Sequence, residues 1–446
     1  MKKSSYNIFV PCERMVIGFN TYRNMYIAIS KNAYSTYIKE SLDDLKRKFP
    51  NCYKNMQESG FLIEDDFDEL ASIRLRNKIE CFASREFQLM VFPTQDCNLK
   101  CWYCYENHQQ NTKMTPEIME RIYLYVRNLI ENNSFDSFQM SFFGGEPLLY
   151  FDEIVFPLAS RIKNLIESAG KQFISFFVTN ASLINKQTID KLVTLNPRLQ
   201  ITLDGVKEKH DKVRIWKKNN APTYDTIIKA VKELTKRDKL ANFAITLRIN
   251  YDNETLNNLH SLLEDLADVN KTKLHVHFER VWQTIDSVNN EQRELLLKAL
   301  IEFTERGFVV NQGSFRQKDY SCPAESYNYA IINHDGSVHK CNGRTLTQES
   351  ACGKITLTGK IEWDSNKIAK RIGLSTFENP YCTKCKMLPL CMGPCSQKLM
   401  EMGGFDKQIC SMKSIDTSLN DYIIHEFRSK SLIKQYQTKL GRNESK

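Results

Sequence analysis

Three cysteines stand within eight residues in the sequence CNLKCWYC, with the spacing C-x3-C-x2-C over residues 97–104. Thiolates bind zinc and iron–sulfur clusters, and a closed site of either kind normally takes four protein ligands. Three thiolates would leave one iron of a four-iron cluster free to bind a substrate or a cofactor. On spacing alone, a zinc site completed by Glu106 or His108 remains the alternative.

A second group of cysteines lies near the C-terminus. The chain has 14 cysteines, and those outside the first group gather mainly between residues 322 and 410. Short C-x2-C pairs by themselves are typical of zinc ribbons. The sequence shows no export signal, so we expect a cytoplasmic protein whose cysteines ligate metal rather than form disulfides.

The net charge of the chain says little about the class of partner that it binds. The 446 residues carry a net charge of +9 from 62 basic and 53 acidic residues, which are interspersed. This pattern predicts ordinary solubility and slightly favours an acidic partner, but it indicates neither nucleic-acid binding nor a membrane partner. No apolar run is long enough to span a bilayer.

Strands and helices alternate between residues 87 and 310, which predicts an α/β fold with a parallel sheet. Six units fit a partial (β/α)6 TIM-like barrel, with its chemistry at the C-terminal ends of the strands. The predicted strands are residues 87–93, 135–144, 173–180, 199–205, 243–250 and 274–281.

The regions on either side of the barrel differ in composition. Residues 1–86 predict a small α+β domain, in which strands 6–10 and 25–30 are joined by the turn-like sequence GFNTYRN. Residues 311–425 are irregular and rich in cysteine, and residues 426–446 form a predicted C-terminal helix and tail.

The turn GGEP at residues 144–147 follows the second strand of the predicted barrel. Its glycines allow close backbone approach to a ligand. Together with C-x3-C-x-aromatic-C one βα unit upstream, this turn resembles the radical S-adenosylmethionine superfamily. In that family the three cysteines hold a [4Fe–4S] cluster, and S-adenosylmethionine chelates its free iron while the glycine-rich turn binds the cofactor's amine. The resemblance implies ligation by Cys97, Cys101 and Cys104, and cofactor binding by Gly144, Gly145 and Glu146.

The resemblance implies further cofactor contacts at other strand ends. Tyr103 occupies the position of an aromatic residue near the adenine, although packing alone could also explain it. The stretch ITLDGVKEKHDKVR resembles a family motif and makes Thr202 and Arg214 candidates, together with Asp204, whose Asp-Gly pair also suits an ordinary turn. Other strand-end candidates are Thr179, Asn180, Arg248, Asn250, Glu279 and Arg280.

The second group of cysteines resembles the SPASM domain that follows the barrel in many radical enzymes, where it carries two auxiliary [4Fe–4S] clusters. The family wiring implies that Cys382, Cys385, Cys391 and Cys410 hold the second cluster. The first would be held by Cys322, Cys341 and Cys395. Its fourth ligand would be Cys352, or else its last iron is open to substrate.

The resemblance to radical S-adenosylmethionine/SPASM peptide maturases implies an oxidoreductase that cleaves S-adenosylmethionine to a 5′-deoxyadenosyl radical. It would install a thioether or carbon–carbon crosslink in a ribosomally made precursor peptide. The winged-helix-like residues 1–86 would bind the leader of that peptide, and a small redox protein would supply electrons. The runner-up is an anaerobic sulfatase-maturating, formylglycine-forming enzyme. Asn342 disfavours it, because those enzymes carry at this position an aspartate that serves as the base, and an amide cannot take a proton at neutral pH. A non-catalytic electron carrier or zinc scaffold is the third reading. The sequence identifies no catalytic acid or base.

Overall fold

The computed structural model describes residues 1–132, 135–281, 283, 290–312, 322–405, 409–414 and 416–430. None of the described helices has the length and apolar content that crossing a membrane requires. Short 3-10 segments lie at Pro147–Tyr150, Val193–Leu195, Pro323–Glu325, Thr376–Glu378 and Ser411–Ser414, and a π-helical segment lies at Phe151–Val155.

The N-terminal region contains a three-stranded antiparallel sheet in the order β2-β3-β4, with helices packed on one face. The prediction of a turn at residues 18–24 is wrong in its first half, because residues 16–20 form the buried central strand. Only glycine fits at position 18 without a steric clash, because a Cβ there would lie 2.7 Å from the ring of Phe61. The elements are β1 (Lys2–Lys3), β2 (Asn7–Pro11), β3 (Val16–Asn20), β4 (Met25–Ile29), α1 (Lys31–Lys39), α2 (Leu42–Lys48), α3 (Pro50–Glu58), β5 (Leu62–Ile63) and α4 (Glu69–Phe82).

The central region is the predicted run of parallel strands and helices. Its elements are β6 (Glu86–Val91), β7 (Leu99–Lys100), α5 (Pro116–Glu131), β8 (Ser137–Phe142), α6 (Phe156–Ser168), β9 (Gln172–Thr179), α7 (Lys186–Leu192), β10 (Pro197–Leu203), α8 (Lys207–Val213), β11 (Ile215–Trp216), α9 (Tyr224–Thr235), β12 (Ile245–Tyr251), α10 (Asn253–Asn257), α11 (His260–Asp265), β13 (Leu274–Arg280), α12 (Asn290–Glu305) and β14 (Val309–Gln312). All six predicted strands are confirmed, as β6, β8, β9, β10, β12 and β13.

The parallel sheet continues past both ends of the predicted six-strand run. β14 pairs in parallel with β13, and a strand from the C-terminal region pairs in parallel with β6. Along β12, Leu247 and Ile249 pack into the main core with the helices, so Arg248 and Asn250 point to the inner face of the sheet. The same alternation applies to β10 and β13 and determines which strand-end residues reach the site.

The C-terminal region joins the other two. Its elements are β15 (Tyr329–Ile332), β16 (Ser337–His339), β17 (Gly353–Ile355), β18 (Ile361–Trp363), α13 (Ser365–Ile372), α14 (Pro380–Thr383), α15 (Leu388–Cys391) and α16 (Ser396–Met402), and residues 419–430 are also helical. The strands β15 to β18 extend the parallel sheet through an antiparallel meander. Residues 426–430 of the predicted C-terminal helix and tail are helical, and residues 431–446 lie outside the described residues.

The N-terminal sheet packs against the C-terminal region. Phe19 and Ile17 share one apolar cluster with Met387 and Leu390, which flank the second C-x2-C pair on its C-terminal side. The side chain of Lys386 donates to the carbonyl oxygen of Asn7 at 2.8 Å. The N-terminal region is therefore docked on a cysteine-rich segment and is not a separate appendage.

Candidate active site

The three-cysteine loop follows β6, at the C-terminal edge of the parallel sheet. Within this loop β7 pairs antiparallel with β11, which fixes the loop to the segment just after Arg214. Cys97 is buried, and its sulfur accepts the N–H of Leu99 at 3.4 Å and the side-chain amide of Asn180 at 3.8 Å. The loop is thus held in place by neighbours on both sides.

The glycine-rich turn lies directly against this loop. Gly144 has φ of +89°, a conformation that favours glycine. A Cβ at Gly145 would lie 1.9 Å from the carbonyl oxygen of Asp96, the residue before the first cysteine. The N–H of Glu146 donates to that same oxygen at 2.9 Å. The two sequence motifs therefore form one compact unit that only glycine permits.

The side chain of Glu146 fastens this unit to β9. It is fully buried and accepts the hydroxyl of Thr179 and the N–H of Asn180, both at 2.7 Å. Burial raises the pKa of the Glu146 carboxyl to about 7. A contact with the cofactor's amine, as predicted, would have to use the lone pairs that these donors leave, or the backbone of the turn.

Tyr103 and Arg214 meet at Asp204. The Tyr103 hydroxyl donates to one carboxylate oxygen of Asp204 at 2.5 Å, and Arg214 Nε donates to the other at 2.6 Å. Asn250 donates its side-chain amide to the Tyr103 oxygen at 2.9 Å. Asp204 is therefore a buried acceptor rather than only a turn residue, and Thr202 lies two residues before it on the same inner face.

Arg214 brings a positive charge to all three cysteines. Burial raises the pKa of the Cys97 and Cys104 thiols to about 12 and about 11 and that of Cys101 as well, while the charge of Arg214 acts in the opposite direction on each. Buried thiols of this kind bind as thiolates when a metal displaces the proton. The donor set fits an iron–sulfur cluster, in which each thiolate binds a different iron.

The zinc alternative fits less well. Burial raises the pKa of the Glu106 carboxyl to about 7, with the backbone N–H of Gly145 acting in the opposite direction, and His108 Nδ1 lies 3.3 Å from the carbonyl oxygen of Gln95. In the described part of the chain, no three His, Cys, Asp or Glu side chains are arranged to hold a single metal ion. Zinc would need such convergence, because its ligand distances are about 2.0–2.3 Å.

The remaining strand-end candidates lie on different faces of the sheet, because successive residues of a strand point to opposite faces. Arg248 and Glu279 lie on the inner face, where His277 Nε2 is 3.1 Å from the Glu279 carboxylate. Arg280 lies on the opposite face and pairs with Asp416 at 3.4 Å. Sequence reasoning missed His277, although its position two residues before Glu279 on the same strand was the signal for it.

The later cysteines separate into two sets. Burial raises the pKa of Cys382 to about 11, with further contributions from the thiolates of Cys391, Cys385 and Cys410, so these four lie close together. In the other set, Cys341 and Cys352 line one cavity of about 200 Å³.

The remaining members of that other set lie close to Cys341. Burial raises the pKa of the Cys341 thiol, and the charge of Cys395 adds to this. Burial likewise raises the pKa of Tyr329, with contributions from Cys322 and Cys341. The structure therefore brings Cys322, Cys341, Cys352 and Cys395 into one neighbourhood.

The loops of the two sites touch. The hydroxyl of Thr345, four residues after Cys341, accepts the N–H of Asn107 at 3.4 Å and donates to the carbonyl oxygen of Tyr105 at 3.3 Å. Tyr105 and Asn107 lie one and three residues after Cys104. The cavity beside Cys341 is thus adjacent to the three-cysteine loop.

Known proteins share parts of this arrangement. The sequence profile of the Radical SAM superfamily matches residues 91–266. A cysteine-type anaerobic sulfatase-maturating enzyme of Clostridium novyi is 22% identical over 353 residues, which cover 70% of this chain and 88% of that protein. The radical SAM cyclopropyl synthase TigE of Paramaledivibacter caminithermalis is 26% identical over 200 residues, covering 40% of this chain and 39% of TigE.

A solved structure extends the likeness to most of the chain. Streptococcus suis SuiB bound to precursor peptide SuiA matches with a TM-score of 0.52 and 15% identity, covering 92% of this chain and 99% of SuiB. The likeness spans the N-terminal region, the parallel sheet and the cysteine-rich region together, which confirms the predicted α/β fold class. The segment that matches the Radical SAM superfamily, residues 91–266, contains both the three-cysteine loop and the glycine-rich turn.

Proposed function

We propose that this chain is a radical S-adenosylmethionine enzyme that installs a thioether or carbon–carbon crosslink in a ribosomally made precursor peptide. The observation that carries the proposal is the contact between Gly145 and Asp96, which sets an amine-binding turn against a three-thiolate loop. A carrier of electrons would ligate every iron and would need no such turn. The contact therefore favours an enzyme over a non-catalytic iron–sulfur scaffold.

The cofactor site is assigned to the residues that meet at this edge of the sheet. Cys97, Cys101 and Cys104 would hold the [4Fe–4S] cluster, and S-adenosylmethionine bound to it would supply a hydrogen-abstracting carbon radical. The Asp204–Arg214 pair holds Tyr103 through its hydroxyl and so fixes the orientation of the ring. Their burial excludes water from the place where a radical must not be quenched.

Two auxiliary [4Fe–4S] clusters complete the proposal. Cys382, Cys385, Cys391 and Cys410 would hold one, and the neighbourhood of Cys341 and Cys352 would hold the other, in the manner of a SPASM domain. The contact between Thr345 and Tyr105 makes the three-cysteine loop adjacent to the loop after Cys341. This supports electron transfer from a substrate radical to the cluster proposed at Cys341. A small redox protein would supply the electron that starts each turnover.

The N-terminal sheet is the proposed binding site for the leader of the peptide. Within the described residues β4 pairs only with β3, so its outer edge is available for an added strand. From Ile27 to Ile29 its side chains alternate between buried and exposed. SuiB, whose structure matches this chain, was solved with a precursor peptide.

Maturation of a sulfatase is the second candidate, and the Clostridium novyi relative favours it. Asn342 weighs against it, because an amide cannot take the proton that the corresponding aspartate would accept. Either a sulfatase-type peptide or a leader-bearing precursor encoded beside the gene can be offered as substrate. Formation of formylglycine from the first, with no change in the second, would select this alternative.

The test is anaerobic reconstitution followed by turnover. We expect about twelve irons per chain, as three cysteine-ligated cubanes. With S-adenosylmethionine and a chemical reductant, the loaded enzyme should form 5′-deoxyadenosine, and a crosslinked product should form only when the precursor is present. Stoichiometric zinc without iron–sulfur absorption, in protein purified without oxygen, would overturn the proposal.

A further inference from the structure

The cavity beside Cys341 and Cys352 is unusually rich in positive charge. Among the described residues, Glu349 is the single acidic side chain in its wall. The cationic residues that line it are Lys340, Arg344, Lys367, Lys370 and Arg371. A cavity of this composition, with two thiols in its wall, fits a negatively charged occupant.

Arg371 is the member of this set whose bonding is incomplete. It lies near the end of α13 and is only 4% exposed. Its Nη2 donates to the side-chain oxygen of Gln397 at 2.5 Å, but its Nε and Nη1 have no hydrogen-bond partner among the described residues. Burying a guanidinium beside a neutral amide with two unmet donors is costly. A negatively charged acceptor is therefore missing from the contacts of this residue.

Other cations of the cavity already have partners. Lys340 and Lys367 donate to backbone carbonyl oxygens, and Arg344 forms an ion pair with Glu401 at 2.8 Å. Lys370 is exposed and is therefore solvated. The unmet demand for an anion inside the cavity thus belongs to Arg371.

The neighbouring cysteines identify the missing acceptor. Arg371 lines the same cavity of about 200 Å³ as Cys341 and Cys352. A second buried donor nearby, the hydroxyl of Ser396 next to Cys395, also has no partner among the described residues. Unmet donors beside grouped thiols match the sulfur atoms of a cysteine-ligated cluster, which accept N–H and O–H bonds.

We propose that Arg371 donates its Nε–H and Nη1–H to sulfur atoms of the auxiliary cluster held at Cys341 and raises the reduction potential of that cluster. The inference rests on the proposed auxiliary cluster at this cavity. A cluster held there would gain one negative charge on accepting one electron from a substrate radical, and no bond would form or break at it. A buried guanidinium stabilises that added charge, which makes Arg371 a positioning residue for electron acceptance and not a catalytic one.

The experiment is a redox titration of the loaded full-length chain, followed by electron paramagnetic resonance. It uses a background in which Cys97, Cys101 and Cys104 are replaced by alanine, so that only auxiliary signals remain. At a fixed potential, Arg371→Gln should lower the ratio of reduced to oxidised cluster about tenfold at one site, equal to a shift of about 59 mV for one electron. Lys370 is the exposed neighbour of Arg371 in the sequence. Lys370→Gln removes the same charge and should shift the potential far less.

The outcomes separate this inference from the proposed function. If the parent chain holds no cluster at Cys341, the proposed function fails at that point, and the titration shows it before any variant is made. If the parent is loaded and Arg371→Gln leaves both potentials unchanged, or shifts them no more than Lys370→Gln does, the inference is overturned.

A stability measurement tests whether the role of Arg371 is purely structural. Arg371→Gln removes an unmatched buried charge from the cluster-free chain, so it should raise the thermal midpoint of that form. In the loaded chain the same change removes bonds to the cluster and should lower the midpoint. A fall in both forms would assign Arg371 to packing and overturn the inference.

Discussion

The hydroxyl of Tyr105 donates to the backbone carbonyl oxygen of Asn342 at 2.9 Å. Tyr105 follows the last cysteine of the first loop, and Asn342 follows Cys341. The bond therefore joins the proposed radical site to the proposed auxiliary site. Asn342 distinguishes this chain from the sulfatase-maturing pattern. The bond places this residue at the boundary between the two proposed sites.

This bond leads to a prediction about coupling. Tyr105→Phe keeps the ring but removes the donor, and a hydrogen bond of this kind contributes about 1 kcal/mol. We expect the ratio of peptide product to 5′-deoxyadenosine to fall about fivefold, while cleavage of S-adenosylmethionine itself continues. Chromatographic quantification of both products measures the ratio. An unchanged ratio would show that the two loops act independently.

The two groups of cysteines should respond differently to substitution. Cys97→Ala, Cys101→Ala or Cys104→Ala should abolish formation of 5′-deoxyadenosine, because the iron that binds the cofactor is lost with the cluster. Cys382→Ala should retain some of this activity but form no peptide product. Cys52→Ala, outside both groups, is the matched control and should load and turn over normally. Formation of 5′-deoxyadenosine by any variant of the first group would exclude the assigned radical site.

The buried Asp204–Arg214 pair should matter for stability as well as for orientation. Asp204→Asn leaves the guanidinium without its counter-charge in a buried site, which typically costs about 3 kcal/mol. The urea midpoint of the loaded chain should therefore fall clearly. Glu233→Gln disrupts an exposed pair with Lys236 and should leave the midpoint unchanged, because water screens such pairs. Equal midpoints for both variants would contradict the argument.

Sequence patterns were sufficient for the parallel sheet because alternation is a local signal. The same signal failed at residues 16–20, where Gly18 and Asn20 are typical of turns. There the glycine makes room for Phe61, a contact that depends on the folded structure of the whole region. Local propensity cannot anticipate such a contact across 43 positions of the chain.

The candidate site shows the same division. Motif spacing located the three-cysteine loop and the glycine-rich turn, because their chemistry is carried by residues close in sequence. The interaction of Asp204 with Tyr103 joins residues 101 positions apart, and half of the strand-end candidates depended on which face of a strand they occupy. Arg371 carries no motif at all. Only its burial and its unmet donors indicate a role, and neither can be read from the sequence.

The N-terminal sheet permits a sharp test of leader binding. Removing residues 1–86 would expose the apolar contacts of Met387 and Leu390 beside the second set of cysteines, so any loss of function would have two causes. Hydrogen–deuterium exchange on the intact, loaded chain avoids this difficulty. A leader added to the outer edge of β4 should slow exchange in residues 25–29, because their outward N–H groups gain acceptors. Residues 7–11 of β2, at the other edge of the same sheet, are the internal control and should change little. Protection confined to the control strand, or protection of neither strand at saturating leader, would reject β4 as the binding edge.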